Sequence, residues 1–142
     1  MSKDAYERGL KTRRKVLGDE WVDRALKTRT PFNEDFQALI TRYAWDEVWN
    51  RPGLDHPTRR MLVIAMMVAL GRWEEYRLHV QAALASGDLS PDDLKEVLLQ
   101  ATIYCGVPAA NHAFKEARDL VQEHGAGGKR RKTKGKRLKA RG

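Results

Sequence analysis

The residues best suited to chemistry lie between Arg72 and Phe114, where Glu75, His79, Glu96, Tyr104 and Cys105 stand among Leu, Val, Ala and Ile. Burying such polar groups costs roughly 1–3 kcal/mol each unless they are paired, so their place in apolar helical sequence points to a site rather than a plain core. Glu75 and His79 are four residues apart and share one helix face, a spacing at which a carboxylate can hold an imidazole for proton transfer. A lone histidine on an apolar helix is also a common structural residue. Glu96 heads a second stripe with Leu99, Gln100, Ile103 and Tyr104, which this spacing predicts to face inward. A glutamate buried there can orient His79 or, held protonated by burial, act as the acid itself, whereas a first-turn glutamate serves only the helix dipole. Tyr104 offers a hydroxyl to a developing oxyanion or packs at the helix end.

Cys105 is the single cysteine, which excludes an internal disulfide and leaves a packing or a nucleophilic role. His56, His79, His112 and His124 are too dispersed to form a metal-ligand motif, so no metal is expected.

The elements that must position these residues read as helices throughout, and strand signals do not recur. Ser2 caps a first helix to about Leu17, stopped by Gly18, and a short segment over Glu20–Lys27 follows. Thr30-Pro31 opens the next helix, with Phe32, Phe36, Leu39, Ile40, Tyr43 and Val48 at helical spacing and an end near Asn50. Asp55 caps His56–Leu70, whose sequence is apolar nearly all round, the pattern of a helix covered on several sides and a pointer to an oligomer. Trp73–Ala85 comes next. Ser90-Pro91-Asp92-Asp93 then starts a helix that stops at Gly106, and Val107-Pro108 begins the last, reaching about His124. The expected fold is all-α, with a single domain over residues 1–124.

The net charge of +8 is concentrated at one end. Gly125–Gly142 holds nine Lys/Arg and no acid, leaving eighteen basic against nineteen acidic residues in the body. With Leu138 as its one bulky apolar residue, the tail is expected to be disordered and to make weak, salt-dependent contact with polyanions or simply to remain solvated. No aromatic residues interleave with its charges to stack on bases, which favours the solvated reading. A binding module working through this tail is the non-enzymatic alternative. The apolar run Met61–Leu70 is too short to span a bilayer and Met1–Lys15 has no secretory pattern, so a soluble cytoplasmic protein is expected.

Five blocks carry a resemblance: Trp49-Asn50-Arg51-Pro52-Gly53-Leu54, Thr58-Arg59, Glu75-Tyr76-Arg77-Leu78-His79, Glu96-Val97-Leu98-Leu99-Gln100 and Ile103-Tyr104-Cys105-Gly106-Val107-Pro108-Ala109-Ala110-Asn111. The chain resembles the carboxymuconolactone decarboxylase family over about residues 5–123. The resemblance implies an AhpD-like bundle of six to seven helices assembled into rings, commonly homo-trimers or homo-hexamers. The implied reaction is loss of CO2 from 4-carboxymuconolactone, giving the enol-lactone of 3-oxoadipate in the breakdown of aromatic compounds. The departing carboxylate is allylic to the ring double bond, so its electrons delocalise to the lactone carbonyl as a dienolate, and no metal or organic cofactor is obligatory.

Such a reaction needs cations for two carboxylates, a donor to the oxyanion and an acid for carbon. Arg59 resembles the family's arginine and its planar fork suits a carboxylate clamp; Arg51 offers the same, and a structural ion pair is the alternative for each. Arg60 stands where the family pattern has a small polar residue and is expected at the surface, while His112 stands at another small-residue position, at a helix start. AhpD-like peroxidases use a Cys-x-x-Cys pair, but here the residue three after Cys105 is Pro108, so a thiol-dependent redox activity is the weaker alternative.

Overall fold

The structure, a computed structural model, describes residues 2–127; all of them that are regular are helical, and no strand occurs among them. The chain divides at His56 into two compact units, Met1–His56 and Pro57–Gly142.

In the first unit, α1 (Ser2–Leu17) is followed directly by α2 (Asp19–Lys27), with Gly18 at φ 95° making the reversal. The next helix starts later than Pro31. A turn closed by Thr30 N donating to Asn33 Oδ1 and Asn33 Nδ2 donating to the Thr28 carbonyl holds residues 30–33 out of helix, and α3 runs over Glu34–Ile40. It passes without a break into a π-helical segment, Thr41–Val48.

The wider winding changes which side chains turn inward. Thr41, Trp45 and Trp49 are buried, whereas Phe32 (98% exposed), Phe36, Leu39, Tyr43 and Val48 of the expected apolar stripe are exposed. Trp45 and Trp49 stack at 5.4 Å, and His56 meets Trp49 edge-on while its Nε2 lies 3.1 Å from the Trp49 carbonyl. Helix α1 packs closely on the π-helical segment because of Gly9: a Cβ there would lie 2.0 Å from the Thr41 carbonyl oxygen. Arg8 grips Asp46 through two nitrogens at 3.0 and 3.1 Å, and Thr12 donates to Asn50 Oδ1 at 2.8 Å.

The second unit contains α4 (His56–Leu70, entering at Pro57), α5 (Trp73–Ser86), α6 (Pro91–Cys105) and α7 (Val107–Gly127). Gly87, in the left-handed region at φ 78°, ends α5, and Gly106 at φ 97° separates α6 from α7. Helix α6 begins with the expected capping box: Ser90 Oγ accepts from Asp93 N at 3.1 Å, and Asp93 Oδ2 accepts from Ser90 N at 3.0 Å.

The core is made by Ile64 and Val68 of α4, Tyr76, Val80 and Leu84 of α5, Leu94 and Leu98 of α6, and Ala113, Ala117 and Leu120 of α7. Tyr76, fully buried, donates from its hydroxyl to the Ala113 carbonyl at 2.8 Å. Arg77 clamps both carboxylate oxygens of Asp119, at 3.0 and 2.8 Å, and also donates to the Glu116 carbonyl. These contacts lock α5 onto α7. Helix α7 runs three residues beyond the expected end at His124; residues 128–142, most of the expected basic tail, lie outside the described residues.

Candidate active site

Helix α6 turns a different face to the core from the one the spacing predicts. Leu94, Val97, Leu98 and Ala101 are buried, while Glu96, Leu99, Gln100, Ile103 and Tyr104 are exposed. Both stripes are largely apolar; the buried one begins at Asp93, whose carboxylate accepts from Ser90 N in the capping box, and the one with Glu96 and Gln100 is left in solvent. Glu75 is exposed as well, so of the residues expected to be buried His79 and Cys105 are half-buried and the others stand in solvent.

Glu96, Tyr104 and Cys105 nevertheless share a feature. They line a groove of about 900 Å³ within the second unit, with a floor that includes Met61 and Ala65 of α4 and Val97 and Ala101 of α6. Tyr104, 80% exposed, stands on its rim and does not pack as a helix-end aromatic. Cys105 is half-buried against the core, as a small apolar residue would be. The rim also holds Asp92 and Lys95, paired at 3.7 Å, so carboxylates outnumber cations along it.

His79, Glu75, Arg59 and Arg51 do not line this groove. Glu75 does not hold the histidine by a hydrogen bond: His79 Nδ1 is buried without a partner, and Glu75 acts on the ring only electrostatically. Burial, and then the charge of Arg60, push the His79 pKa down to about 4, with Glu75 opposing them. His79 is therefore a neutral imidazole at pH 7, able to give one hydrogen bond or accept one. Arg59 lies half-buried in the first turns of α4, and Arg51 is exposed in the first unit.

Arg60 is the clearest correction to the sequence reading. It is 1% exposed and not a surface residue: its Nε meets Asp88 Oδ2 at 2.8 Å, joining the start of α4 to the α5–α6 connection. An arginine in an early helical turn reads as surface until its spacing is considered, for Arg60, Ile64 and Val68 form the buried i, i+4, i+8 line of α4. Asp88, between Gly87 and the Ser90 cap, carried no sequence signal of its own. His112 sits on the exposed side of α7, its ring 4.3 Å from that of Trp73 and Nε2 3.7 Å from Glu116.

No group of three or more His, Cys, Asp or Glu among the described residues is arranged to hold a metal ion, and no described helix is long and apolar enough to cross a membrane.

Comparison with known proteins bears on what such a site does. A 4-carboxymuconolactone decarboxylase of Acinetobacter baylyi is 43% identical over 120 residues, covering 84% of this chain and 89% of the relative. A nitrosuccinic acid decarboxylase of Metarhizium robertsii is 37% identical over 122 residues, covering 83% and 85%. A 4-carboxymuconolactone decarboxylase of Pseudomonas putida is 50% identical over 42 residues, 30% of this chain and 88% of that sequence. The sequence profile described as the carboxymuconolactone decarboxylase family matches residues 34–119, across α3 to α7. With a matching profile over more than half its length and relatives aligned along most of it, the chain belongs to the carboxymuconolactone decarboxylase family.

Proposed function

We propose that this chain is a carboxy-lyase that removes CO2 from 4-carboxymuconolactone to give 3-oxoadipate enol-lactone, a step in the catabolism of aromatic compounds. The observation that carries this reading is the alignment with the Acinetobacter enzyme over 84% of the chain at 43% identity. It extends through the blocks that hold His79, Glu96 and Tyr104. A cytoplasmic location, a single catalytic body over residues 1–124 and a homo-trimeric or homo-hexameric assembly belong to the same proposal. Leu62, Met66 and Leu70 of α4 and Leu99, Ile103 and Tyr104 of α6 form apolar stripes that one copy leaves in water, which supports assembly.

The chemistry is centred on His79. Its unpartnered Nδ1 and its neutral state in the free protein leave it ready for a substrate that brings its own negative charge. A carboxylate approaching the ring favours the imidazolium, so binding of the dianion draws a proton onto His79, which then passes to the dienolate carbon beside the lactone carbonyl. Arg59 clamps the substrate carboxylates, and Glu75 tunes the histidine electrostatically.

The groove offers the competing placement, with Glu96 as acid, Tyr104 as oxyanion donor and Cys105 in the wall. His79→Ala and Glu96→Gln decide between the two, since each placement requires only its own residue for proton delivery. The function itself is tested by the spectroscopic loss of lactone with purified, chelator-treated protein. A panel that includes nitrosuccinate and related carboxylated lactones gives the counter-result: turnover of one of these with 4-carboxymuconolactone untouched would overturn the substrate assignment.

A further inference from the structure

Arg13, in α1, is a buried cation with no anion paired to it among the described residues. It is 3% exposed, and its Nε and Nη1 are buried and make no hydrogen bond. All nineteen Asp and Glu side chains of the chain lie among the described residues, and none of them pairs with Arg13. Of the three carboxylates of α2, the neighbouring Arg14 takes Asp19 at 3.2 Å and Asp23 at 2.8 Å, and Arg24 takes Glu20 at 2.9 Å. What Arg13 has instead is the indole of Trp21, with the guanidinium carbon 5.5 Å from the ring centroid. Tyr6 is the other group acting on it, and burial draws its pKa down. A guanidinium does not lose its proton in proteins, so it cannot escape the cost of burial by becoming neutral. Buried charges in folded proteins are paired, because the loss of hydration is otherwise uncompensated.

We propose that Arg13 is the cation of a carboxylate-binding site in the first unit, its anion supplied from outside the chain by a free carboxylate ligand or by a carboxylate side chain of a second copy. Trp21 covers the guanidinium face, and the remaining nitrogen, Nη2, is not sealed off as Nε and Nη1 are. An arriving carboxylate therefore meets Nη2 first, and a two-point grip forms only as Nε or Nη1 is uncovered by its docking. The site lies within the first unit, so its test is independent of any decarboxylase assay.

The probe is succinate, titrated against sodium chloride at matched ionic strength, with thermal unfolding and sedimentation velocity measured on the full chain and on Arg13→Met and Arg13→Lys. A free-ligand site predicts that succinate raises the wild-type Tm by about 3 °C more than chloride does, with the rise absent from Arg13→Met. A site filled by a second copy predicts no succinate effect, but a smaller assembly for Arg13→Met than for wild type. The wild-type titration and the charge-conserving Arg13→Lys keep the test decisive if Arg13→Met does not fold. A wild-type Tm insensitive to succinate, with assembly unchanged in the folded Arg13 variants, would overturn the proposal.

Discussion

Replacing His79 by glutamine should remove a specific part of the protein's acid sensitivity. The ring carries a pKa of about 4 in the folded chain against the 6.5 of an ordinary histidine, so the folded state resists a proton that the unfolded state accepts. Above pH 6.5 both states are neutral at this position and the histidine costs nothing. As the pH falls below 6.5 the unfolded chain is protonated first, and stability is lost until the folded pKa is reached, after which the loss levels off. The difference amounts to about 2 kcal/mol at pH 5 and about 3 kcal/mol at pH 4.

Urea unfolding of wild type and His79→Gln at pH 7, 6, 5 and 4 measures it. Carboxylates held low by arginines, Asp46 by Arg8 and Asp119 by Arg77, titrate in both proteins and cancel in the comparison. The wild type should lose about 2 kcal/mol more than the variant between pH 7 and 5, and an NMR titration should leave the His79 ring neutral through pH 5. Parallel stability curves would show that His79 is not the buried neutral group described, and that the charge of Arg60 and the ring's surroundings do not act as stated.

Arg60→Met removes the buried end of the Arg60–Asp88 ion pair and should lower stability by about 3 kcal/mol, read by denaturant unfolding, while raising the pKa of His79 in the same NMR titration. Gly9→Ala drives a Cβ into the Thr41 carbonyl, so α1 must retreat from the π-helical segment; a loss of about 3 kcal/mol is expected in the same unfolding assay. Cys105→Ser should retain decarboxylase turnover within a few-fold, because the thiol packs against the core; loss of activity without loss of fold would restore the thiol-dependent reading.

Helix ends were legible because they rest on local chemistry: Gly18, Gly87 and Gly106 adopt positive φ, and the Ser90-Pro91-Asp92-Asp93 run forms its capping box as written. Helix faces were less so. α4 and α6 each carry two apolar stripes, and periodicity alone cannot say which one the chain buries and which it leaves for other contacts. The π-helical segment shifts the register by its wider turn, so residues spaced for an α-helix, such as Tyr43 and Val48, point outward while Trp45 and Trp49 turn in.

The candidate site was legible in part. His79 stands out as a histidine among apolar neighbours, and its burial follows. Its electrostatic neighbour Arg60 and that residue's partner Asp88 come from different helices and loops, and only the tertiary structure joins them. Arg13 was hidden in the same way, as one arginine in a basic run whose neighbour Arg14 is paired and which is itself enclosed.

The most direct test of the central claim is an NMR time course of purified protein with 4-carboxymuconolactone in D2O, counting CO2 released and locating the deuterium taken up. The account predicts one CO2 per lactone consumed and one deuterium on the ring carbon beside the lactone carbonyl, with the rate collapsing in His79→Ala. Lactone left intact by folded protein, or consumed without release of CO2, would contradict it.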